Sequence, residues 1–378
     1  MSFEVQAKML IASGFDDSAG LKAVVPADVT IEEGETVTAF GLSLGVFAEL
    51  VSTFANEDDI TFTFEKGKIG LKSGKAKSSL NLAEGNPLAF ESATKIAEMT
   101  GEQFRQLLPL TGFTLSDDLN PLSAVCAQFG SLKKANKVIA YKCVAYATNR
   151  TSVCRTNFTT PYEGEVDSET AAAPILSPTS YLRKVAKVMS PEDSVTIMVT
   201  KDGNKIVVGI KHKSGRKALM SVSSVMSGQY PTDLIENQFS LRPAVNVTLA
   251  PSLLSGALAR IMAVDSQVAV FIAGKDGKVS VESVDGAAGT ARTTLGVQVE
   301  GLHTYQNAGT LRSVLEIFGE EVTISFGNGI SPSFLSGGPF TAIFSAVNID
   351  EAKKAAVTPE DEESPAEPET EALEAALA

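Results

Sequence analysis

The segment Leu182-Arg-Lys-Val-Ala-Lys-Val-Met189, followed by Val195-Thr-Ile-Met-Val199, decides the fold. Its first part places apolar residues on one face of a helix, and its second part is a β-branched run typical of a strand. The same layout occurs twice more, as Phe47–Phe54 with Ile60–Phe64 and as Leu311–Phe318 with Val322–Phe326. Three copies whose strands start 135 and then 127 residues apart indicate a repeated unit of common descent.

A second kind of unit lies between these copies. Phe104–Leu108 predicts a short helix that Pro109 ends, and Pro251–Ala263 predicts a longer one. Each is followed by predicted strands, namely Ser123–Phe129 and Lys137–Ala147, then Val268–Ala273 and Lys278–Val284. With two units per domain, the sequence predicts domains at 1–95, 96–240 and 241–349. Residues before Thr38 show only strand-like pieces and no helix-length pattern, so the first domain is shortened: either it is a reduced domain or the chain begins inside an ancestral one.

The net charge must be divided before it is interpreted. The 378 residues include 45 acidic and 32 basic ones, a net charge of −13, which alone argues against nucleic-acid binding. Residues 350–378 hold ten acidic residues and two lysines, which leaves −5 for residues 1–349. This Glu-, Pro- and Ala-rich segment has no aromatic residue and predicts a disordered acidic tail. It is either a solvated tail or a regulatory one that repels or mimics nucleic acid, docks a basic partner or gates a nearby site.

Several classes of protein are disfavoured by composition. The three cysteines and two histidines lack metal-site spacing, so we predict no metal and no cofactor. The N-terminus does not resemble a secretory signal and no apolar run approaches ~18 residues, so we predict a cytoplasmic protein without a membrane partner. Phosphate-binding and nucleophile-elbow motifs are absent, and the paired aspartates lie in loop-like settings. The sequence therefore predicts a protein that is not an enzyme.

Several local motifs, taken in order, resemble one family. Phe47–Val51 through Leu71-Lys-Ser-Gly-Lys-Ala-Lys-Ser-Ser-Leu80 is similar to the first-domain helix, hairpin and strand of the bacterial sliding clamps, the β subunits of DNA polymerase III. Ala147–Cys154 resembles the family's Ala-Thr-Asp-Gly-His-Arg-Leu-Ala-Val loop, shortened by about two residues. Ser227-Gly-Gln-Tyr-Pro231 resembles its Asp-Gly-Arg-Phe-Pro turn, and Phe340–Ile349 resembles its last strand. The chain is identified as a divergent member over roughly residues 9–349, with a viral origin left open.

The resemblance implies an α+β clamp fold of helix-plus-antiparallel-strand units and a ring around double-stranded DNA. The ring would be a homodimer of head-to-tail copies, as in the family, or another ring of this chain because its first domain is shortened. It would contact phosphates without reading sequence. The basic residues expected to face the DNA are Arg105, Arg183, Lys184, Lys187, Arg260 and Arg312. The alternative reading is an ordinary solvated helix face, and Leu42–Phe54 carries no Lys or Arg at all.

The resemblance also implies a pocket for short peptides of the DNA polymerase and the clamp loader. Carried over position by position, this pocket would use Thr148, Pro231, Ile235, Ile343, Ser345 and Val347. The alternative is that Ile343 and Val347 are only the core face of a final strand. Since Ser345-Ala-Val-Asn replaces the family's Met-Pro-Met-Arg, we expect partner peptides that differ from the family's. The competing function is a non-enzymatic, β-rich structural or virion protein.

Overall fold

The structure is a computed structural model, and it describes residues 1–347 apart from 7, 16–18, 29–38, 55–58, 66, 84–91, 117–119, 204, 224–229, 242, 244, 285–286 and 328–330. The predicted tail at 350–378 and most of the Ser227–Pro231 turn lie outside the described residues. None of the described helices is long and apolar enough to cross a membrane.

The helices follow the two kinds of unit that the sequence predicts, with one addition. They are α1 (Leu44–Ser52), α2 (Gly101–Arg105), α3 (Thr179–Lys187), α4 (Thr232–Phe239), α5 (Pro251–Ala263) and α6 (Ala308–Leu315), with short 3-10 turns at Pro109–Phe113 and Pro121–Ser123. The predicted bounds of α5 are the observed ones, because Pro251 starts the helix and its apolar stripe runs to its end. The addition is α4, which the sequence did not predict.

The strands up to residue 223 are β1 (Ser2–Gln6), β2 (Met9–Phe15), β3 (Ala19–Pro26), β4 (Ala39–Gly41), β5 (Thr61–Glu65), β6 (Lys68–Ser73), β7 (Ala76–Asn81), β8 (Ala93–Thr100), β9 (Ala124–Lys134), β10 (Lys137–Thr148), β11 (Ser152–Thr159), β12 (Ser168–Ala171), β13 (Ile175–Pro178), β14 (Ser194–Thr200), β15 (Lys205–Lys211) and β16 (Lys217–Ser223). The later strands are β17 (Val245–Leu249), β18 (Val268–Ala273), β19 (Lys278–Ser283), β20 (Arg292–Gln298), β21 (His303–Asn307), β22 (Val322–Phe326), β23 (Ser333–Gly337) and β24 (Phe340–Phe344).

The chain divides into two compact units. The first comprises Met1–Arg242, Ile317–Gly319 and Leu335–Phe344, and the second comprises Pro243–Glu316, Glu320–Phe334 and Ser345–Ala378. The predicted boundary near 240 lies close to this division, whereas the one near 95 lies inside the first unit. The three-domain division stays a prediction.

The first unit contains antiparallel sheets built from meanders. One sheet has eight strands in the order β4-β1-β2-β3-β16-β15-β14-β8, and a separate sheet has the order β5-β6-β7. In a further sheet β12, β9, β10, β11 and β24 are neighbours in that order, and β13 pairs with β9. Where two meanders join, they join through their third strands, as in the pairs β3 with β16 and β11 with β24.

The second unit contains a smaller antiparallel sheet and a pair of helices. Strands β20, β19, β18 and β21 form a four-stranded sheet, and β17 pairs with β22. Helices α5 and α6 pack against each other, with Leu254, Ala257, Leu258 and Ile261 of α5 and Leu311, Val314 and Leu315 of α6 buried. This unit thus has the paired helices that two repeat units per domain predict.

Helix α1 differs from the other repeat helices. None of its residues is buried, and Leu44 and Val46 are 57% and 51% exposed. Phe47 and Leu50 pack on a core cluster that includes Phe3, but the rest of the helix faces outward. Helix α1 therefore buries fewer apolar residues than α3, α5 and α6.

Candidate functional sites

Helix α3 carries the densest group of predicted DNA-contacting residues. Its core side is made of Tyr181, Leu182, Val185 and Ala186. Arg183 and Lys187 lie on the opposite, exposed side, and Lys184 is half-buried. Arg183 donates from Nε and Nη2 to Thr111 Oγ1 at 3.3 and 3.2 Å. Because that partner is neutral, the positive charge of Arg183 is not cancelled by it.

Arg105 lies beside this group because α2 is tied to the end of α3. Its Nη2 donates to the carbonyl oxygens of Met189 at 2.9 Å and Ala186 at 3.4 Å. A cation at the C-terminus of a helix satisfies orphan carbonyls and complements the helix dipole. The structure therefore brings together four of the predicted residues, Arg105, Arg183, Lys184 and Lys187. Arg105 also caps the C-terminal end of α3.

We expect Gly101→Ala to separate these two helices. Gly101 N and Glu102 N donate to the carbonyls of Asp193 and Pro191 at 2.8 Å, and a Cβ at Gly101 would lie 2.1 Å from Ser190 O. The Ser190 backbone would have to shift to relieve this clash, so the free energy of unfolding should fall by about 1–3 kcal/mol in a urea titration. The control is Gly112→Ala, where a Cβ meets nothing within 4 Å. Equal stability of the two variants would contradict this packing.

Arg260 and Arg312 lie in the second unit, on α5 and α6. Both side chains are exposed, and Arg260 Nη1 donates to Thr293 Oγ1 at 3.4 Å. Each is in the last turn of its helix, where a cation is favoured by the helix dipole. The predicted DNA-contacting residues thus fall on two packed helix pairs, one in each unit.

The sheet next to α2 and α3 has two distinct faces. A small internal cavity is lined by Phe104 of α2, Leu182 of α3, and Ala127 and Phe129 of β9, so the helices cover the face that carries these β9 residues. Neighbouring residues of a strand point to opposite faces. Cys126, between Val125 and Ala127, therefore belongs to the other face, which we call the outer face.

Two predicted pocket residues lie in one row across the outer face. Thr148 of β10 is opposite Val153 of β11, which is opposite Ile343 of β24. Directly opposed residues share a face and adjacent strands are ~4.8 Å apart, so this row places Thr148 and Ile343 roughly 10 Å from each other. The next row along the strands is Cys126, Tyr146, Arg155 and Thr341.

Helix α4 is attached to the outer face through that second row. Glu236 accepts a hydrogen bond from the Tyr146 hydroxyl and is contacted by Arg155 Nη1 at 3.3 and 3.2 Å from its two oxygens. The Arg155 guanidinium also lies 4.2 Å from the centre of the Phe239 ring. Burial, reinforced by the hydrogen bond to Glu236, raises the pKa of Tyr146, so its hydroxyl stays a donor at neutral pH. We call Tyr146, Arg155 and Glu236 the clasp.

The predicted pocket residues differ in accessibility. Thr148 is 5% exposed, and Ile235 and Ile343 are 4% exposed each, whereas Pro231 is half-buried. In the second unit Ser345 is exposed and Val347 N donates to Tyr305 O at 3.0 Å. Thr148 and Ile343 thus share a face that α4 adjoins, but they are not open to solvent.

Sequence reasoning missed the clasp and the helix that bears it. The available signal for α4 was small: Ile235 and Phe239 at i and i+4, directly after Pro231. No local signal pairs Glu236 with Tyr146 and Arg155, which are 90 and 81 residues away along the chain.

Comparisons with known proteins agree with this geometry. No protein-family model and no curated protein matches the chain. Among solved structures, the DNA polymerase sliding clamp of Pseudomonas aeruginosa superposes with a TM-score of 0.71 at 14% identity, covering 92% of this chain and 91% of that one. The β subunit from Streptococcus pyogenes DNA polymerase gives 0.71 at 15%, with the same coverage. The Helicobacter pylori β clamp bound to a DNA ligase peptide gives 0.65 at 13%, again covering 92% and 91%.

The chain therefore has the fold of the bacterial sliding clamps. The predicted α+β clamp fold is confirmed, and the low identities make this chain a divergent example of it.

Proposed function

We propose that the protein is a DNA sliding clamp, a non-enzymatic processivity factor that encircles duplex DNA and tethers a replicative DNA polymerase. The clamp fold supports this, as do the exposed basic residues on both helix pairs. One observation carries the proposal. In the described part of the chain, two three-stranded meanders have a third strand with one free edge, whereas the third strands of the other meanders pair with each other.

The unpartnered meanders are those that end in β7 and β20. Each repeat helix is followed by three strands, and the third strand is the one that meets another meander, as β16 meets β3 and β24 meets β11. After α1 the third strand is β7, and after α5 it is β20. Among the described residues, β7 pairs only with β6 and β20 only with β19. In the other meanders, third strands pair with third strands. We therefore expect β7 of one copy of the chain to pair with β20 of a second copy.

Pairing of β7 in one copy with β20 in the next is a heterologous contact, which closes into a ring when the rotation per copy allows it. We propose a head-to-tail homodimer, in line with the clamp fold. Processivity then follows from topology, since a closed ring leaves DNA only by opening or by sliding off an end. Loose contacts from Lys and Arg to phosphates would allow sliding without reading bases.

We further propose that the outer face binds short peptides of the polymerase and the clamp loader. The proposed contacts are Thr148, Pro231, Ile235 and Ile343, which all belong to the first unit. An apolar row beside a helix is the usual chemistry of a peptide groove. The Helicobacter pylori clamp, which shares the fold, binds a DNA ligase peptide.

The test of the ring is retention on DNA of different topology. We expect the protein to remain on a nicked circular plasmid through gel filtration at about 0.15 M salt, and to be lost at least about tenfold faster once the plasmid is linearised. Blocking both ends of the linear DNA with a bound protein should restore retention. Equal retention on circular and open linear DNA would contradict the proposal and favour a structural protein.

A further inference from the structure

Helix α4 is held on the outer face by few polar contacts from one side chain. Glu236 is the shared acceptor of the Tyr146 hydroxyl on β10 and the Arg155 guanidinium on β11. Its side chain is 44% exposed, while that of Arg155 is 24% exposed. A hydrogen bond to a carboxylate is stronger than a neutral one, and both bonds end on the same residue. Loss of Glu236 would therefore remove the hydrogen bonds of α4 to both strands at once and leave the contact between Arg155 and the Phe239 ring.

The row beside the clasp has buried ends and a half-buried centre, Val153. Thr148 and Ile343, at the ends of the row, are almost inaccessible, and so is Ile235 on α4 itself. A peptide that is to contact Ile343 needs this surface to open. Leu234, the residue before Ile235 on α4, is 68% exposed.

We propose that Glu236 is a positioning residue that holds α4 against the outer face, beside the row Thr148–Val153–Ile343, and so sets the access of a partner peptide to this row. The proposal rests on the outer face being the peptide site of the proposed function. In the closed arrangement the clasp is intact and Thr148 and Ile343 are buried. In the open arrangement Glu236 leaves Tyr146 and Arg155, α4 moves away, and the row becomes available.

The chain contains its own reporters of this opening. Cys126 lies on the outer face opposite Tyr146, whereas Cys143 is opposite Phe129 and Cys154 is opposite Ala147 on the helix-covered face. All three thiols are free and buried. Burial raises the pKa of Cys126 to about 12, which suppresses its thiolate. A thiol that becomes exposed returns toward a pKa of about 8.5 and reacts far faster, so labelling measures the open population.

The experiment measures labelling of each cysteine in the full chain by an aromatic disulfide reagent, with peptide mass spectrometry to assign the sites. In Glu236→Ala we expect Cys126 to react about tenfold faster or more than in the parent protein, because the hydrogen bonds that the carboxylate accepts from Tyr146 and Arg155 are lost. Glu236→Gln should give a smaller increase, since an amide oxygen can still accept from Tyr146. Tyr146→Phe removes one donor only and provides a milder variant should Glu236→Ala not fold.

The matched control is Glu98→Gln. Glu98 has a side chain 46% exposed and is paired with Lys95 at 3.0 Å, away from α4. It should leave all three labelling rates unchanged. Cys143 and Cys154 are the internal controls, and they should stay protected in every variant. Acceleration of all three thiols together means general loosening and overturns the proposal, as does a Cys126 rate within twofold of the parent.

Failure of this inference is separable from failure of the proposed function. Thiol labelling requires neither DNA nor a peptide, whereas the ring is judged by retention on circular DNA. The clasp variants should keep that retention, because the residues they alter lie on the face opposite α2 and α3. Suppose that the parent protein is not retained on circular DNA, but that Cys126 is labelled selectively in Glu236→Ala. This result would refute the clamp function and still support the proposed role of Glu236 in positioning α4.

Discussion

Replacing Ser79 by proline should convert the proposed ring into separate chains. The two-residue turn Gly74-Lys75 joins β6 to β7, so the flanking residues Ser73 and Ala76 form a hydrogen-bonded pair. Hydrogen-bonded and non-hydrogen-bonded pairs then alternate along the ladder, which places Ser79 opposite Gly70 in a non-hydrogen-bonded pair. The Ser79 N–H therefore points away from β6, toward the free edge.

Proline at this position removes a donor from the proposed β7–β20 ladder without removing one from the β6–β7 ladder. An orphaned acceptor in a buried ladder costs about 2 kcal/mol, and a head-to-tail dimer contains two such interfaces. The expected loss of about 4 kcal/mol corresponds to roughly a thousandfold weaker dimer. Sedimentation equilibrium over a range of concentrations measures it, and retention on circular plasmid should be lost in parallel.

The control for this variant is Ser79→Ala, which keeps the N–H and should keep the dimer. Ser79 is exposed, so neither variant removes a core contact. A thermal melt should show that the Ser79→Pro chain is still folded. A folded Ser79→Pro protein that remains dimeric at the dissociation constant of its parent would exclude β7 as the ring-closing edge.

Neutralising Arg183 and Lys187 should weaken binding to duplex DNA by roughly sixtyfold at ~0.1 M salt. Each phosphate contact contributes about 0.9 to the slope of log affinity against log salt, so two contacts lower the slope by about 1.8. Arg183→Ala combined with Lys187→Ala is the variant, and fluorescence anisotropy with a short labelled duplex across a salt series is the measurement. Unrelated duplex sequences should be affected equally, since phosphate contacts carry no sequence information.

A charge-matched variant separates position from net charge. Lys213→Ala with Arg216→Ala removes one lysine and one arginine from the exposed β15–β16 turn. It changes the total charge equally but leaves α3 intact, so its effect should be much smaller. Equal salt slopes for the two double variants would show that the protein contacts DNA through general charge and not through the helix face.

The repeated units could be predicted because each has a recognisable pattern of apolar residues in its own stretch of sequence. In α3 the buried side is read from Leu182 and Val185, and the strand that follows is read from the β-branched run at Val195–Val199. Such patterns depend on neighbours within one or two turns of chain. They determine whether a segment is a helix or a strand and the order of these elements along the chain. The repetition of the helix-plus-strand unit then suggests the fold.

The arrangement of the outer face could not be predicted in that way. Helix α4 has only eight residues, too few to be stable by propensity or to show a sustained period. Its attachment depends on Glu236 meeting side chains 81 and 90 residues earlier. The burial of Ile343 likewise arises from packing across strands, so a position-by-position resemblance located it correctly on the last strand without revealing its accessibility.

Alternation along β10 has an evolutionary consequence. Ala145 and Ala147 face the core beneath the helices, while Tyr146 and Thr148 face outward, so adjacent codons are under unrelated constraints. In the proposed clamp, selection for a new polymerase or loader can change the outward residues and leave the inward ones, which support the DNA-facing helices, untouched. The outward residues of β10, which would select partners, and its inward residues, which would support DNA binding, can therefore evolve at independent rates.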